Sequence, residues 1–248
     1  MMTHQSEKYR LKLNISEQDI AVINENFNNA DPGALLEWGY REFQQKVVLG
    51  TGLGPSGVVL MHHLHKLQVP IRIFCLDTGL LFGETYELWK RLERRLNITI
   101  EKVSPILTLE GQKGKYGNEL WKSDADQCCH IRKVLPLRKY LANKSAWITG
   151  LRRSQSQFRE KIDKIEWDST NKVVKINPLA DWSQENVWWY IKEYELPYNP
   201  LHDDGFPSIG CVPCTSKASD ENDERSGRWM NSTKTECGIH LPDPESDQ

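Results

Sequence analysis

The residues whose types and spacing could do chemistry are cysteines. Cys128 and Cys129 are adjacent, Cys211-Val212-Pro213-Cys214 is a Cys-x-x-Cys pair, and Cys237 stands alone in Glu236-Cys237-Gly238-Ile239-His240. Two close thiol pairs can wrap a metal centre, because Cys-x-x-Cys serves zinc, iron–sulfur and dithiol redox sites alike. Consecutive side chains on a helix diverge by about 100°. Cys128 and Cys129 therefore suit a cubane cluster, with its several iron corners, better than one tetrahedral ion. An iron–sulfur cluster is favoured over zinc, and plain burial of all the paired thiols is the third reading. Cys75 lies inside an apolar run and reads as a small buried hydrophobe. Cys237 is then left without an intramolecular resolving partner, so a nucleophilic Cys237 has to be recycled by an external dithiol protein. His240 and the cations Arg225, Arg228 and Lys234 are placed to lower its pKa and to guide an anionic substrate.

Anion-binding chemistry is present elsewhere in the chain. Gly50-Thr51-Gly52-Leu53-Gly54-Pro55-Ser56-Gly57 follows an apolar run and can converge backbone N–H groups on a phosphate, with Thr51, Gly52 and Gly54 as candidate contacts. It is not a Walker loop, since no Gly-Lys-Ser/Thr follows, and its spacing does not match the dinucleotide fingerprint. An ordinary strand-to-helix turn is the bland alternative. Asp77-Thr78-Gly79 closes another apolar run and is the weaker candidate. Gly150 opens a loop carrying Arg152, Arg153 and Arg159, whose fork-shaped, permanently charged groups can hold sulfate or phosphate. A solvated surface loop is the competing reading there. Arg132 and Lys133 follow the vicinal cysteines and can offset the charge of a thiolate-bound cluster; otherwise they solvate a helix.

These groups need elements to hold them. Residues 14–44 read as a helical lead-in, with caps at Asn14-Ile15-Ser16-Glu17 and apolar residues at helical spacing. Beyond it, strands at 46–51, 69–76, 98–103 and 146–150 alternate with helices at 58–67, 84–96 and 128–141. Such alternation implies an α/β fold with a doubly wound, mostly parallel sheet and right-handed crossovers. Ligands bind beyond the carboxyl ends of the strands in such sheets, so the turns at 50–57, 77–79 and 149–159 should gather on one edge. Residues 45–214 are read as the nucleotide-binding domain with the metal site. The stretch 215–248 is read as a mobile, polar C-terminal tail with too few apolar residues for a core of its own, so it either folds over the domain or stays loose. Segment 104–127 receives no role.

At 248 residues the chain can bury a core without disulfide staples. A formal net charge of −2 gives no nucleic-acid signal. No apolar run is long enough to span a membrane, and the polar N-terminus lacks a secretory h-region. The expectation is a cytoplasmic protein, in which thiols stay reduced and bind metal more often than one another. The sequence is compatible with a homo-oligomer.

Together these motifs resemble the assimilatory adenylyl-sulfate (APS) reductases and the related 3′-phosphoadenylyl-sulfate (PAPS) reductases. The resemblance rests on residues 128–137 and 147–156, on Asn177-Pro178-Leu179, on 197–202 and 207–215, on Gly227-Arg228-Trp229 and on 234–240. It implies an adenine-nucleotide α-hydrolase-like (PP-loop type) fold. It also implies a [4Fe–4S] cluster on Cys128, Cys129, Cys211 and Cys214, with Cys237 as the nucleophile. The implied enzyme is an oxidoreductase of sulfate assimilation and cysteine biosynthesis, acting on a sulfur group with a disulfide as acceptor. It would bind APS with its adenosine near 50–57 and 77–79 and its phosphosulfate near Arg152, Arg153, Arg159 and Lys133. Thioredoxin or glutaredoxin would then release sulfite from an S-sulfocysteine. Members with both cysteine pairs usually use APS, while the cluster-free branch uses PAPS. The departure is Pro55-Ser56, where relatives commonly carry an acidic pair. PAPS reduction, an ATP-using enzyme on the same fold and a non-catalytic iron–sulfur or zinc sensor are the rivals.

Overall fold

The alternation of apolar runs and helices is realised in a computed structural model that describes residues 15–218, 223–230 and 234–241. Helices α1 (Glu17–Asn26) and α2 (Pro32–Phe43) precede the sheet. The strands are β1 (Val47–Thr51), β2 (Arg72–Leu76), β3 (Ile100–Val103), β4 (Ala146–Ile148), β5 (Ile165–Asp168) and β6 (Val173–Ile176). They form one sheet in the order β3-β2-β1-β4-β6-β5. Neighbours are parallel except β5, which runs antiparallel to β6 at one edge. Parallel neighbours need crossovers, supplied by α3 (Pro55–Leu67) between β1 and β2 and by α4 (Gly83–Leu96) between β2 and β3.

Burial follows from that topology. A central parallel strand is covered on both faces, so Val47, Val48 and Leu49 of β1 are consecutively apolar and at most 1% exposed. Leu35, Leu36 and Trp38 of α2 pack into the same core as α3, α4 and β1. The Asn24 side chain of α1 donates to the Ile165 carbonyl at 2.8 Å, tying the lead-in to the sheet edge. No helix among the described residues is long and apolar enough to cross a membrane.

The sequence reading ends its strands at 146–150, so the β5–β6 hairpin is an addition. Each strand is only four residues long, and Lys175 interrupts the apolar pattern of β6. Its ammonium pairs with Glu166 at 3.2 Å, which lets a lysine occupy an interior strand. The expected helix over 128–141 is also modified. α5 (Leu109–Tyr116) and α6 (Leu120–Ser123) fold from the unassigned 104–127 segment, and α7 (Ala125–Cys129) follows. Residues His130–Val134 then form a π turn before α8 (Leu135–Leu141). Pro136 has no N–H to offer the carbonyl four residues back, which removes one bond of a regular α-helix there. The last α-helix among the described residues, α9 (Gln184–Glu193), begins at a Ser183 capping box.

Candidate active site

The carboxyl ends of β1, β2 and β4 open into a cleft of about 300 Å³. Thr51, Gly52, Gly54, Thr78, Lys133, Gly150, Arg152, Arg159, Arg225, Arg228, Cys237 and His240 all line it. The turn after β1 is shaped for close approach. Thr51 Oγ1 accepts from the Leu53 N–H at 2.9 Å, and a Cβ at Gly57 would collide with that same Thr51 side chain. Gly54 caps α3 without a side-chain cap bond, so the helix presents its N-terminal end beside the cleft. Open space surrounds Gly52 and Gly54 where side chains would sit.

Only Thr78 of the 77–79 turn lines the cleft. The Asp77 carboxylate accepts from the Gly79 N–H at 2.9 Å and Tyr86 Oη at 2.6 Å, and pairs with Lys102. Burial would raise its pKa, yet Lys102, Tyr86 and the Gly79 N–H hold it below the usual carboxylate range. Asp77 and Gly79, the latter at φ +72°, therefore shape the turn rather than face a ligand.

The arginine loop divides in the same way. Arg152 is 3% exposed, and its guanidinium donates to Ser56 Oγ at 3.1 Å, Ser154 Oγ at 2.7 Å and Glu224 Oε2 at 2.6 Å. Arg159 forks onto Glu236. Arg153 departs from expectation: it bonds Asp181 and the Ile162 carbonyl and does not line the cleft. Its neighbour Arg152 is turned inward from extended backbone, and the chain changes direction into a short 3-10 turn that starts at Arg153. Arg153→Ala should leave the Kd for AMP within about twofold of wild type while lowering the melting temperature. A calorimetric titration that found AMP binding tenfold or more weaker would place Arg153 back in the site.

The cysteines separate by role. Cys75 is 2% exposed, and burial pushes its thiol up to about 12, as befits an inert core residue. Cys128 and Cys129 diverge as helix geometry requires. Cys128 packs with Leu120 and Ile131, whereas Cys129 packs with Trp229, Cys237 and Cys214. Thr78 Oγ1 lies 3.2 Å from Cys211 Sγ. Gln112, from the unassigned segment, donates to Cys128 Sγ at 3.8 Å and accepts from Arg132 at 2.9 Å. Arg132 donates through Nε to the Thr78 carbonyl at 2.6 Å. Burial, then proximity to Cys211, raises the thiols of both Cys128 and Cys214. Polar hydrogens and cations thus face thiols that repel one another's ionised forms, a donor set that fits a thiolate-bound metal group. Among the described residues, no set of three or more His, Cys, Asp or Glu is close enough to hold a single metal ion.

Cys237 is 8% exposed and lies in the cleft wall. A hydrogen bond from the Cys129 thiol outweighs burial and holds Cys237 well below the usual thiol range, assisted by Lys133 and the Ile239 N–H. Burial would lower the Lys133 pKa, but Cys211, Cys237 and Cys129 outweigh it and keep the ammonium charged. His240 stacks on Trp147, with centroids 5.3 Å apart and planes at 9°. Burial first, then Lys175 and Arg159, depresses it well below the ordinary imidazole range. A neutral His240 adds no charge for Cys237, so the activating task expected of His240 and the tail cations falls first to the Cys129 thiol, then to Lys133 and the Ile239 amide. Lys234 instead pairs with Asp126. Arg225 and Arg228 do reach the cleft, and both guanidinium groups lie over Trp229, at 5.4 and 4.8 Å from its centroid.

Sequence reasoning missed Ser56, Gln155, Glu224 and Glu236 as cleft residues. The signal for Glu236 was its place beside Cys237; Glu224, in a polar stretch, had none. The described residues of the tail pack over the site, with Glu224, Arg228, Glu236 and Cys237 in the cleft lining. The Trp229 N–H to Cys214 carbonyl bond at 3.3 Å joins the tail to the Cys211–Cys214 loop, and a Thr215–Arg228 bridge folds the tail back on itself.

Residues 46–217 match the phosphoadenosine phosphosulfate reductase domain family. The chain is 45% identical over 233 residues to an adenosine 5′-phosphosulfate reductase of Salinibacter ruber, covering 94% of this chain and 92% of that protein. It is 46% identical over 217 residues to one from Geobacillus kaustophilus, covering 86% and 92%. Among solved structures, a phosphate complex of the PAPS reductase from Candida auris superposes with a TM-score of 0.71 at 29% identity. That match covers 82% of this chain and 98% of the other. FMN adenylyltransferase of Candida glabrata, bound to FAD and pyrophosphate, shares the fold at a TM-score of 0.56 and 16% identity, over 96% of this chain and 83% of its own.

Proposed function

This chain belongs to the phosphoadenosine phosphosulfate reductase domain family, and from that premise we propose that it reduces adenylyl sulfate to sulfite and AMP in sulfate assimilation. The observation that carries the reading is the placement of Cys237, activated beside Lys133, in a cleft also lined by the β1 turn and by Arg152, Arg159, Arg225 and Arg228. Relatives that match nearly the whole chain and bear the name adenosine 5′-phosphosulfate reductase support APS as the substrate.

The β1 turn and the α3 N-terminus bind the nucleotide phosphate, and the arginines neutralise the phosphosulfate. The Cys237 thiolate attacks the sulfate sulfur. The S–O bond to the phosphate breaks, AMP leaves with the electron pair, and Cys237 carries an S-sulfonate. A dithiol protein, thioredoxin or glutaredoxin, then attacks Cys237 Sγ. Sulfite departs with the S–S electron pair, and the second partner thiol resolves the mixed disulfide. Lys133 holds Cys237 ionised for the first step and offsets charge on the departing group. Cys128, Cys129, Cys211 and Cys214 would hold a [4Fe–4S] cluster, whose contribution is electrostatic, through Lys133, and structural, as a clasp between distant segments.

Incubation with APS but no thiol reductant tests the reading. Intact mass should rise by one SO₃ group on Cys237, and thioredoxin should remove it. Absence of the adduct would sink the reductase reading. The same incubation with PAPS decides the second reading, which the Candida auris enzyme favours through its fold and 29% identity. Faster transfer from PAPS would reassign the substrate.

A further inference from the structure

Glu236 precedes the nucleophile and has no part in the steps above. It is 3% exposed, and its two oxygens serve four donors. Oε1 accepts from the Cys237 backbone N–H at 2.8 Å, from an Arg159 terminal nitrogen at 2.9 Å and from an Arg225 terminal nitrogen at 2.9 Å. Oε2 accepts from Arg159 Nε at 2.7 Å. Gln155 holds the remaining Arg159 nitrogen at 2.5 Å. Both guanidinium groups face the cleft that Cys237 lines.

A negative charge beside a thiol opposes its ionisation, so Glu236 is not placed to activate Cys237. A buried carboxylate with bidentate cation bonds is costly to strip of either partner, so the geometry of this one is firmly held. Its distinctive property is connection: one rigid group ties the nucleophile's backbone to two cations that face the substrate anion.

We propose that Glu236 is a positioning residue that clamps the Cys237 amide to Arg159 and Arg225, so that the sulfur nucleophile and the phosphosulfate are aligned on a single frame. The proposal rests on the reading of Cys237 as the nucleophile. Misplacement of a reacting group by about 1 Å can cost about 100-fold in rate. Glutamine keeps the acceptor for the Cys237 N–H, yet turns an NH₂ toward arginine donors. Aspartate keeps the charge and falls one methylene short of spanning the amide and the Arg159 fork.

The test is single-turnover transfer of SO₃ from saturating APS to Cys237, read by quenched intact mass, alongside calorimetric binding of AMP, which lacks the transferred group. Glu236→Gln should transfer about 100-fold more slowly with AMP affinity within about threefold of wild type, and Glu236→Asp should recover part of the rate. Transfer by Glu236→Gln within about threefold of wild type would overturn the proposal. So would loss of AMP binding in proportion to transfer, which marks a general structural role. Should Glu236→Gln not fold, Glu236→Asp decides: about tenfold slower transfer with AMP binding intact supports the clamp, and a rate near wild type overturns it. A wild-type protein that forms no adduct would overturn the nucleophile reading, and the clamp with it; fast transfer in wild type and variants alike removes only the clamp.

Discussion

Cys237→Ser protein is expected to bind AMP as tightly as wild type, to acquire no SO₃ group from APS and to lose turnover by ~10³-fold or more. A serine hydroxyl at this position meets the same Lys133 and the same Ile239 N–H, but its pKa lies far above that of a thiol, so neither contact ionises it at neutral pH. The replacement is nearly isosteric and keeps the packing around residue 237, so the melting temperature should fall only by what the depressed thiol pKa contributes. Binding and chemistry are thereby separated. Turnover within tenfold of wild type in the serine protein would require a different nucleophile altogether.

Lys133→Met is expected to have the next largest effect, through pH. Cys237 is held below the usual thiol range by Cys129, Lys133 and the Ile239 N–H, so it is thiolate over a pH window in which a free thiol is mostly protonated. Alkylation of wild-type Cys237 by iodoacetamide should change little between about pH 7 and about pH 9, where an ordinary thiol accelerates steeply. Removing the cation raises the thiol pKa. Transfer at about pH 7 should fall roughly 10- to 100-fold and recover as pH rises toward about 9. Lys133→Arg should restore most of the loss. The sign for stability runs the same way: a lowered thiol pKa stabilises the fold above the unfolded value, and that contribution is lost as pH falls through the folded one. An unaltered alkylation profile in Lys133→Met would show that Lys133 does not set the Cys237 charge. Cys129 cannot serve as a proton donor to Cys237 while giving its sulfur to a metal as thiolate. Lys133 and the Ile239 N–H are the contacts common to both states.

Much of the fold can be read from local patterns. The unbroken apolar run of β1, the glycines after it and the alternation with α3 and α4 are set by neighbours in sequence, so their places follow from period and turn chemistry. The β5–β6 hairpin could not be read that way. Lys175 looks polar until Glu166 pairs with it across the hairpin, an interaction between strands. The π turn over His130–Val134 likewise departs from the regular helical period that periodicity assumes.

The chain's residues alone determined which chemistry is available: a lone Cys237, two cysteine pairs, arginines and glycines following strands. Those are properties of side-chain type and short-range order, and they survive without coordinates. Only the tertiary structure decided which of those groups share a space. It placed Arg152 in the cleft and Arg153 outside it, made Asp77 a turn builder, gave Gln112 a sulfur to face and set Glu236 between the nucleophile and two arginines. Glu236 and Arg159 are 77 positions apart, and Gln112 and Cys128 are 16 apart. Contacts of that span are set by how helices, loops and tail pack together, because burial of polar and charged groups is tolerable only where the fold delivers a partner.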